Sequence, residues 1–141
     1  MPVPYTRSVE PSALARFVRD VLGCACPEEV LRSITDDRGR LIPGVDVEVT
    51  RLDVGGRLLV YVVPAAAAEP LSSLVAAAVG TGVSERDRRA FNRFRLVLTT
   101  DTPAAFEQPA RDAFAACGLI DERVHLHVVS VEDCPGSVGD S

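Results

Sequence analysis

The chain has 141 residues, 47% of them apolar, and carries a formal net charge of −5 at pH 7. This length predicts one domain with a single core, and the acidic balance argues against a broad nucleic-acid-binding surface. All 15 basic residues are arginine, which excludes chemistry that needs a Schiff-base lysine or the lysine of a phosphate-binding P-loop.

The N-terminal part of the chain predicts two helices. Apolar residues recur with helical spacing from Leu14 to Leu22, and Gly23 is typical of a helix C-terminus. Pro27 suits the first turn of a second helix, with Ile34 on its apolar side. The prolines at the start interrupt any apolar signal segment, and no apolar stretch reaches the roughly 20 residues that span a bilayer. We therefore expect a cytoplasmic protein without a membrane span.

The middle of the chain predicts a loop followed by a β-hairpin. The segment from Thr35 to Gly44 is rich in turn-forming residues, with Asp36 and Asp37 among them, and is predicted to be a loop. Alternating polarity over 45–50 predicts an edge strand with one wet face. The Gly55-Gly56 pair favours a tight turn, and the apolar run over 58–63 predicts a strand buried on both faces.

The second half of the chain alternates predicted helices and strands. Its predicted elements are a helix over 71–79 that ends at Gly80, a short helix capped by Ser84 and Asp87, a strand over 95–100, a helix over 103–117 and a strand over 123–131. Helical crossovers make the strands that they join parallel.

The predicted fold is one α/β domain over residues 1–134 with a flexible C-terminal tail over 135–141. Its core is a small four-stranded mixed sheet, built as a β-hairpin followed by two βα crossovers, with two N-terminal helices. In open sheets of this kind, ligands gather beyond the carboxyl ends of the parallel strands.

Cysteines supply the main candidate site. Cys24 and Cys26 stand one residue apart at the corner between the two N-terminal helices, and Cys134 follows the last strand at the carboxyl edge, beside Asp101. Thiolate ligands suit zinc and iron, so these four residues are a predicted metal site with zinc or iron as the cofactor. Two alternatives remain open: a redox pair whose thiolate the helix N-terminus stabilises, or small cysteines that only pack in the core.

An arginine-rich segment is a second candidate. Arginines crowd the segment from Arg86 to Arg95, with Phe91 and Phe94 between them. The cluster predicts either a surface for a phosphate or an acidic partner, or a solvated helix face with both phenylalanines packed inward.

Two further residue groups have both a chemical and a structural interpretation. His125 and His127 share one face of the last strand, as a bidentate metal pair or as two half-exposed side chains opposite the core. Asp101 with Thr100 fits the general base of a hydrolase or transferase, but Asp101 also fits the cap of the next helix.

The sequence therefore predicts an accessory protein with a thiol-based metal or redox site at Cys24, Cys26 and Cys134. The alternative is a non-enzymatic interaction module with structural cysteines. Such a module would bind a protein partner or a second copy of the chain through the first strand or the arginine-rich segment. Whether the chain is an enzyme stays open.

Overall fold

A computed structural model of the chain describes residues 16–21, 33–43, 45, 47–65, 71–118 and 121–133. The strands are β1 (Ile34–Gly39), β2 (Val49–Val54), β3 (Leu58–Pro64), β4 (Arg93–Thr100) and β5 (Val124–Ser130). The long helices are α1 (Leu71–Arg88) and α2 (Pro103–Ala116), and short helical turns cover Phe17–Val21 and Val131–Asp133. None of the helices in these ranges has the length and apolar character needed to cross a membrane.

The five strands form one mixed sheet whose order is the order of the chain, β1-β2-β3-β4-β5. β1 and β3 both pair antiparallel with β2, whereas β4 pairs parallel with β3 and β5. The α/β class is therefore confirmed, and so is a hairpin followed by two parallel crossovers through α1 and α2.

The predicted four-stranded sheet with two N-terminal helices is wrong. The sheet has a fifth strand, β1, and Ile34 begins that strand instead of packing on the apolar side of a second helix. Residues 22–32, which include most of that predicted helix, lie outside the described residues. The N-terminal helical structure within the described residues is the turn Phe17–Val21.

β1 forms from the segment that was predicted to be a loop. Asp37 lies directly opposite Arg51 of β2 and forms an ion pair with it, so a charged cross-strand pair supports this strand. Because β1 takes the edge position, β2 (Val49–Val54) is an interior strand, and the prediction of an edge strand over 45–50 is wrong. Charged residues such as Asp36 and Asp37 suit a sheet edge, because they discourage pairing with further strands.

The β2–β3 hairpin follows the prediction. Gly55 and Gly56 both have positive φ, 61° and 71°, as a tight two-residue hairpin turn requires. The Gly56 N–H also donates to Oδ1 of Asp53 at 2.8 Å. β3 is buried on both faces over Leu58–Val63, as its apolar sequence predicts.

Two apolar layers cover the sheet. On one face, α1 and α2 pack on alternate residues of the parallel strands, including Leu59, Tyr61, Phe94, Leu96 and Leu126. On the opposite face, the N-terminal turn contributes two buried side chains to a second cluster. That cluster contains Phe17, Val18, Leu52, Val54, Leu58, Val60, Val62 and Val97. Both faces of the central strands are therefore buried.

Helix α1 continues through the glycine that was predicted to end it. It runs over Leu71–Arg88, so a helix end at Gly80 and a separate short helix at Ser84 are wrong. The glycine at position 82 has a packing role inside the helix instead of ending it. An added Cβ there would come within 2.1 Å of Cζ of the buried Phe94. Gly82 thus allows the helix to approach β4 closely.

The C-terminus of α1 has the hydrogen bond of a Schellman motif. The Phe91 N–H donates to the Arg86 carbonyl at 2.9 Å, and Ala90 between them has a positive φ of 62°. That position usually carries glycine, because a Cβ is strained in the left-handed region. An alanine here therefore stores local backbone strain.

Replacing Ala90 by glycine should raise the free energy of unfolding by about 0.5–1 kcal/mol, because the strain is relieved. Chemical denaturation of both proteins measures the difference. The matched control is Ala76→Gly, at an exposed position inside α1, which should destabilise the protein by about 1 kcal/mol. A loss of stability in both variants would contradict the strain at Ala90.

Candidate functional site

The predicted cysteine site falls mostly outside the described residues. Cys24, Cys26 and Cys134 are not among them, so the metal or redox hypothesis stays a prediction. Asp101 is described and lies exposed in the link between β4 and α2, at the carboxyl edge of the sheet. Within the described ranges, no three His, Cys, Asp or Glu side chains come together in a group that could hold a metal ion.

Threonines shape the carboxyl edge next to Asp101. Thr100 is buried, and its Oγ1 accepts a hydrogen bond from the Thr102 N–H at 3.1 Å. Thr102 occupies the N-cap position of α2, but its side chain makes no capping hydrogen bond. The Thr100 hydroxyl therefore holds the turn that leads into α2, and its suggested role beside Asp101 in hydrolysis stays a prediction.

The two histidines lie half-buried on one face of β5, as predicted. Nη1 of Arg95 lies 3.0 Å from Nε2 of His127. Because a guanidinium can only donate, this ring nitrogen accepts the hydrogen bond. Burial and the charge of Arg95 lower the pKa of His127 to about 4. The ring is therefore neutral at pH 7, and its Nε2 is already occupied by Arg95.

A buried carboxylate links α1 to the sheet. Glu85 is only 3% exposed. Its Oε1 accepts a hydrogen bond from the Tyr61 hydroxyl at 2.5 Å, and its Oε2 accepts from Arg51 at 2.8 Å and from Arg89 at 2.6 Å. Burial acts to raise the pKa of Glu85, but these hydrogen bonds and the charges of Arg51 and Arg89 hold it below its usual value. Both carboxylate oxygens of Glu85 thus accept hydrogen bonds from side chains of the protein itself.

Arg86 holds the link between α2 and β5 against α1. Its side chain is buried, and its guanidinium forms a bidentate pair with Asp121, at 3.2 Å and 3.0 Å. It also contacts Asp87, at 3.0 Å. The hydrogen bond from Arg86 lowers the pKa of Asp121. Arg86 is therefore committed to a contact inside the protein and is not free to bind a partner.

The arginine-rich segment is split between two elements. Phe91 and Phe94 are buried, as predicted. However, α1 ends at Arg88, and Arg93 and Arg95 belong to β4, so the segment does not form one helix face. The two ends of the cluster therefore lie in different surroundings.

A row of exposed arginines lies at the amino edge of the parallel strands. Arg57 belongs to the turn before β3, Arg93 begins β4 and Arg123 immediately precedes β5. The Arg57 carbonyl accepts a hydrogen bond from the Arg93 N–H at 3.2 Å, and the Arg123 carbonyl accepts one from Phe94 at 3.0 Å. Arg88 lies at the nearby end of α1. We call these four residues, Arg57, Arg88, Arg93 and Arg123, the amino-edge arginines.

The amino-edge arginines differ from the other arginines in their charge partners. All four side chains are exposed, and none of them forms an ion pair with a described residue. Beside them is an open cleft of about 280 Å³. The cleft is lined by Arg86, Asp87, Phe91, Asn92, Asp121, Glu122 and Arg123. The four arginines are thus outside the ion pairs of the described residues, although the cleft beside Arg123 also carries the carboxylates of Asp87, Asp121 and Glu122.

Sequence reasoning missed two of these arginines, because Arg57 and Arg123 are far from Arg93 in the chain. One signal could have found them: Arg57, Arg93 and Arg123 each stand at the start of an apolar strand segment. In parallel strands the starts meet at one edge of the sheet, so three such arginines must become neighbours.

No protein-family model matches the chain, and neither a curated protein nor a solved structure matches it.

Proposed function

We propose that this protein is a non-enzymatic interaction module that binds an acidic segment of a partner protein through the amino-edge arginines. The observation that carries the proposal is the row of Arg57, Arg93 and Arg123, whose side chains are exposed and form no ion pair with a described residue. Like charges placed side by side repel each other, and an acidic ligand removes that repulsion.

The size of the row suits a short acidic peptide. Neighbouring strands lie about 4.8 Å apart, so the three strand starts span about 10 Å. Acidic side chains at alternate positions of an extended peptide are about 6.8 Å apart. The guanidinium group presents a planar pair of donors that matches a carboxylate. With the net charge of the chain at −5, this local row favours a short acidic segment over a long polyanion such as nucleic acid.

The proposed location is the cytoplasm. Cys117, at the end of α2, is a free cysteine that is partly exposed. Reducing compartments keep such thiols free. The cytoplasmic proposal is therefore in keeping with the state of this cysteine.

Replacing the amino-edge arginines by alanine should weaken capture of an oligoglutamate peptide at least about tenfold at low salt. The four positions are Arg57, Arg88, Arg93 and Arg123. Added salt should weaken the wild-type interaction, because ions screen exposed charges. Fluorescence anisotropy of a labelled peptide measures both effects. The melting temperature should change by only a few degrees, since exposed charges contribute about 0–1 kcal/mol each to stability.

Arg111→Ala is the matched control for this experiment. Arg111 is an exposed arginine of α2, away from the amino edge, and it pairs with Glu107. Its replacement should leave peptide capture unchanged. Wild-type protein that captures no acidic peptide at low salt would refute the proposal, and so would equal capture by the fourfold variant.

A further inference from the structure

The sheet of the described residues ends at β5 on the side of the parallel strands. The Phe94 N–H of β4 donates to the Arg123 carbonyl, so Arg123 directs its backbone groups toward β4. Successive residues of a strand direct their N–H and C=O groups to opposite sides, and Leu126 and Val128 therefore direct theirs away from β4. These groups lie at an edge with which no strand of the described residues pairs.

The outer edge of β5 lacks the features that usually prevent strands from pairing between molecules. Sheet edges are commonly protected by charged residues, prolines or bulges. Residues 124–130, VHLHVVS, include no Asp, Glu, Arg or Pro, and their register with β4 is continuous. Burial and the charge of Arg95 lower the pKa of both histidines, so both are neutral at pH 7. The opposite edge strand, β1, carries Asp36 and Asp37 and is protected by their charge.

The apolar side chains of β5 are incompletely covered on both faces of the sheet. Val128 packs against the core on the helix side and Val129 against the core on the other face, and both are partly exposed. In β4, by contrast, every residue over 94–100 is buried. Of the two strands that it connects, α2 packs mainly on β5, and its Phe106 and Phe114 are also partly exposed. The strand and its helix together form a two-layer apolar surface at this side of the domain.

We propose that a second copy of the chain binds this surface, with the two β5 strands paired antiparallel about a two-fold axis at His127. His127 is the midpoint of Val124–Ser130. With this axis, Leu126 of each copy lies opposite Val128 of the other, and the two residues exchange both of their backbone hydrogen bonds. One symmetry operation thus satisfies the outward groups of both strands. Pairing through β1 would instead bring like charges together, so the distribution of charge favours β5.

Both layers are needed for a surface of sufficient size. The seven residues of β5 give a strand about 23 Å long, and the 14 residues of α2 give a helix about 21 Å long. With layers about 10 Å thick, the face measures about 400 Å² in projection, and its side chains raise the accessible area above that value. Specific interfaces bury at least about 600 Å² per partner. The dimer should therefore be small and reversible, with a dissociation constant in the micromolar range.

Sedimentation velocity and amide hydrogen exchange test the dimer on the wild-type protein. The sedimenting mass should rise from monomer to dimer between about 5 and 500 µM. Over the same range, the N–H groups of Leu126 and Val128 should become protected from exchange, because they are bonded only in the dimer. The N–H groups of His125 and His127 point toward β4 and should be protected at every concentration.

Val128→Lys should weaken the dimer at least about tenfold, because it places one charge from each copy at the paired strands. Thr35→Lys is the matched control, since it puts the same charge at an exposed position of the opposite edge strand, β1. This control should dimerise like the wild type, and equal loss in both variants would contradict pairing through β5. The exchange measurement on the wild type does not depend on how well either variant folds.

Three results would overturn the β5 dimer. The first is a monomer at every concentration. The second is a dimer in which exchange at Leu126 and Val128 is unchanged, because such a dimer uses another surface. The third is protection of both N–H groups that does not depend on concentration, because a segment of the same chain then covers β5. Residues 124–130 contain none of the amino-edge arginines, so each of these results leaves the proposed function to its own peptide-binding test.

Discussion

Replacing Glu85 by alanine should lower the free energy of unfolding by about 2–4 kcal/mol, the largest effect expected of any single change discussed here. The substitution leaves the buried Tyr61 hydroxyl without its acceptor and removes the negative charge that Arg51 and Arg89 share. Both arginines are partly exposed, so water can take over part of the lost interaction. Urea denaturation of wild type and variant measures the difference.

Glu85→Gln gives the matched control and a test of charge. Glutamine keeps an acceptor for Tyr61, so about half of the loss should remain. Because the pKa of Glu85 lies below its usual value of 4.5 in the folded protein, the ionised carboxylate stabilises the fold above that pH. This stabilisation disappears as the pH falls through the folded pKa. The stability difference between wild type and Glu85→Gln should therefore shrink below about pH 4.5. A difference that stays constant between pH 7 and pH 3 would contradict an ionised Glu85.

Gly82→Ala should cost about 2–3 kcal/mol of stability, although alanine is the better helix former. The new Cβ would come within 2.1 Å of Cζ and 2.3 Å of Cε1 of Phe94. Phe94 cannot move aside easily, because it is fully buried and its ring lies edge-on to Tyr61, with centroids 5.1 Å apart. Thermal and urea unfolding of the variant measure the loss.

Two controls belong to this substitution. Gly39→Ala should change stability by less than about 0.5 kcal/mol, because its Cβ would meet Leu41 at an ordinary 3.7 Å. Combining Gly82→Ala with Phe94→Leu should cost at least about 1 kcal/mol less than the sum of the single changes, because the smaller side chain removes the clash. Strict additivity of the two substitutions would show that the close approach of α1 to Phe94 is not the cause.

The central part of the fold was predictable because its signals are strong and local. The run over 58–63 is short, apolar at every position and rich in valine, which is typical of a strand buried on both faces. The glycine pair at 55–56 marks the hairpin turn. Helical crossovers then force β4 and β5 to run parallel to β3.

The errors in the fold arose where tertiary contacts outweigh local preference. Asp36 and Asp37 are typical turn residues, yet pairing with β2 through Arg51 places them in a strand. Gly80 and Gly82 have the composition of a helix end, but the reason for Gly82 is a phenylalanine 12 positions further along the chain, in β4. Both contacts join residues that are far apart in the chain, so neither changes the local spacing of apolar and polar residues.

The candidate site was harder to predict than the fold, because it is assembled from separate strand starts. The rule for open sheets directed attention to the carboxyl edge and Asp101. The exposed charge instead lies at the amino edge, where Arg57, Arg93 and Arg123 meet only after the strands pair. The Glu85 network was also missed, since a glutamate in an arginine-rich helix has the composition of a solvent-exposed face.

The agreement between strand order and chain order has a consequence for how the protein folds. Each strand pairs with the strand synthesised immediately before it, so the longest connection that any pairing must close is one helix with its links. Chains dominated by such local pairings fold faster than chains that must join distant segments. The sheet can therefore extend from the β2–β3 hairpin as the chain leaves the ribosome, and no gap between two strands has to wait for a later segment to fill it.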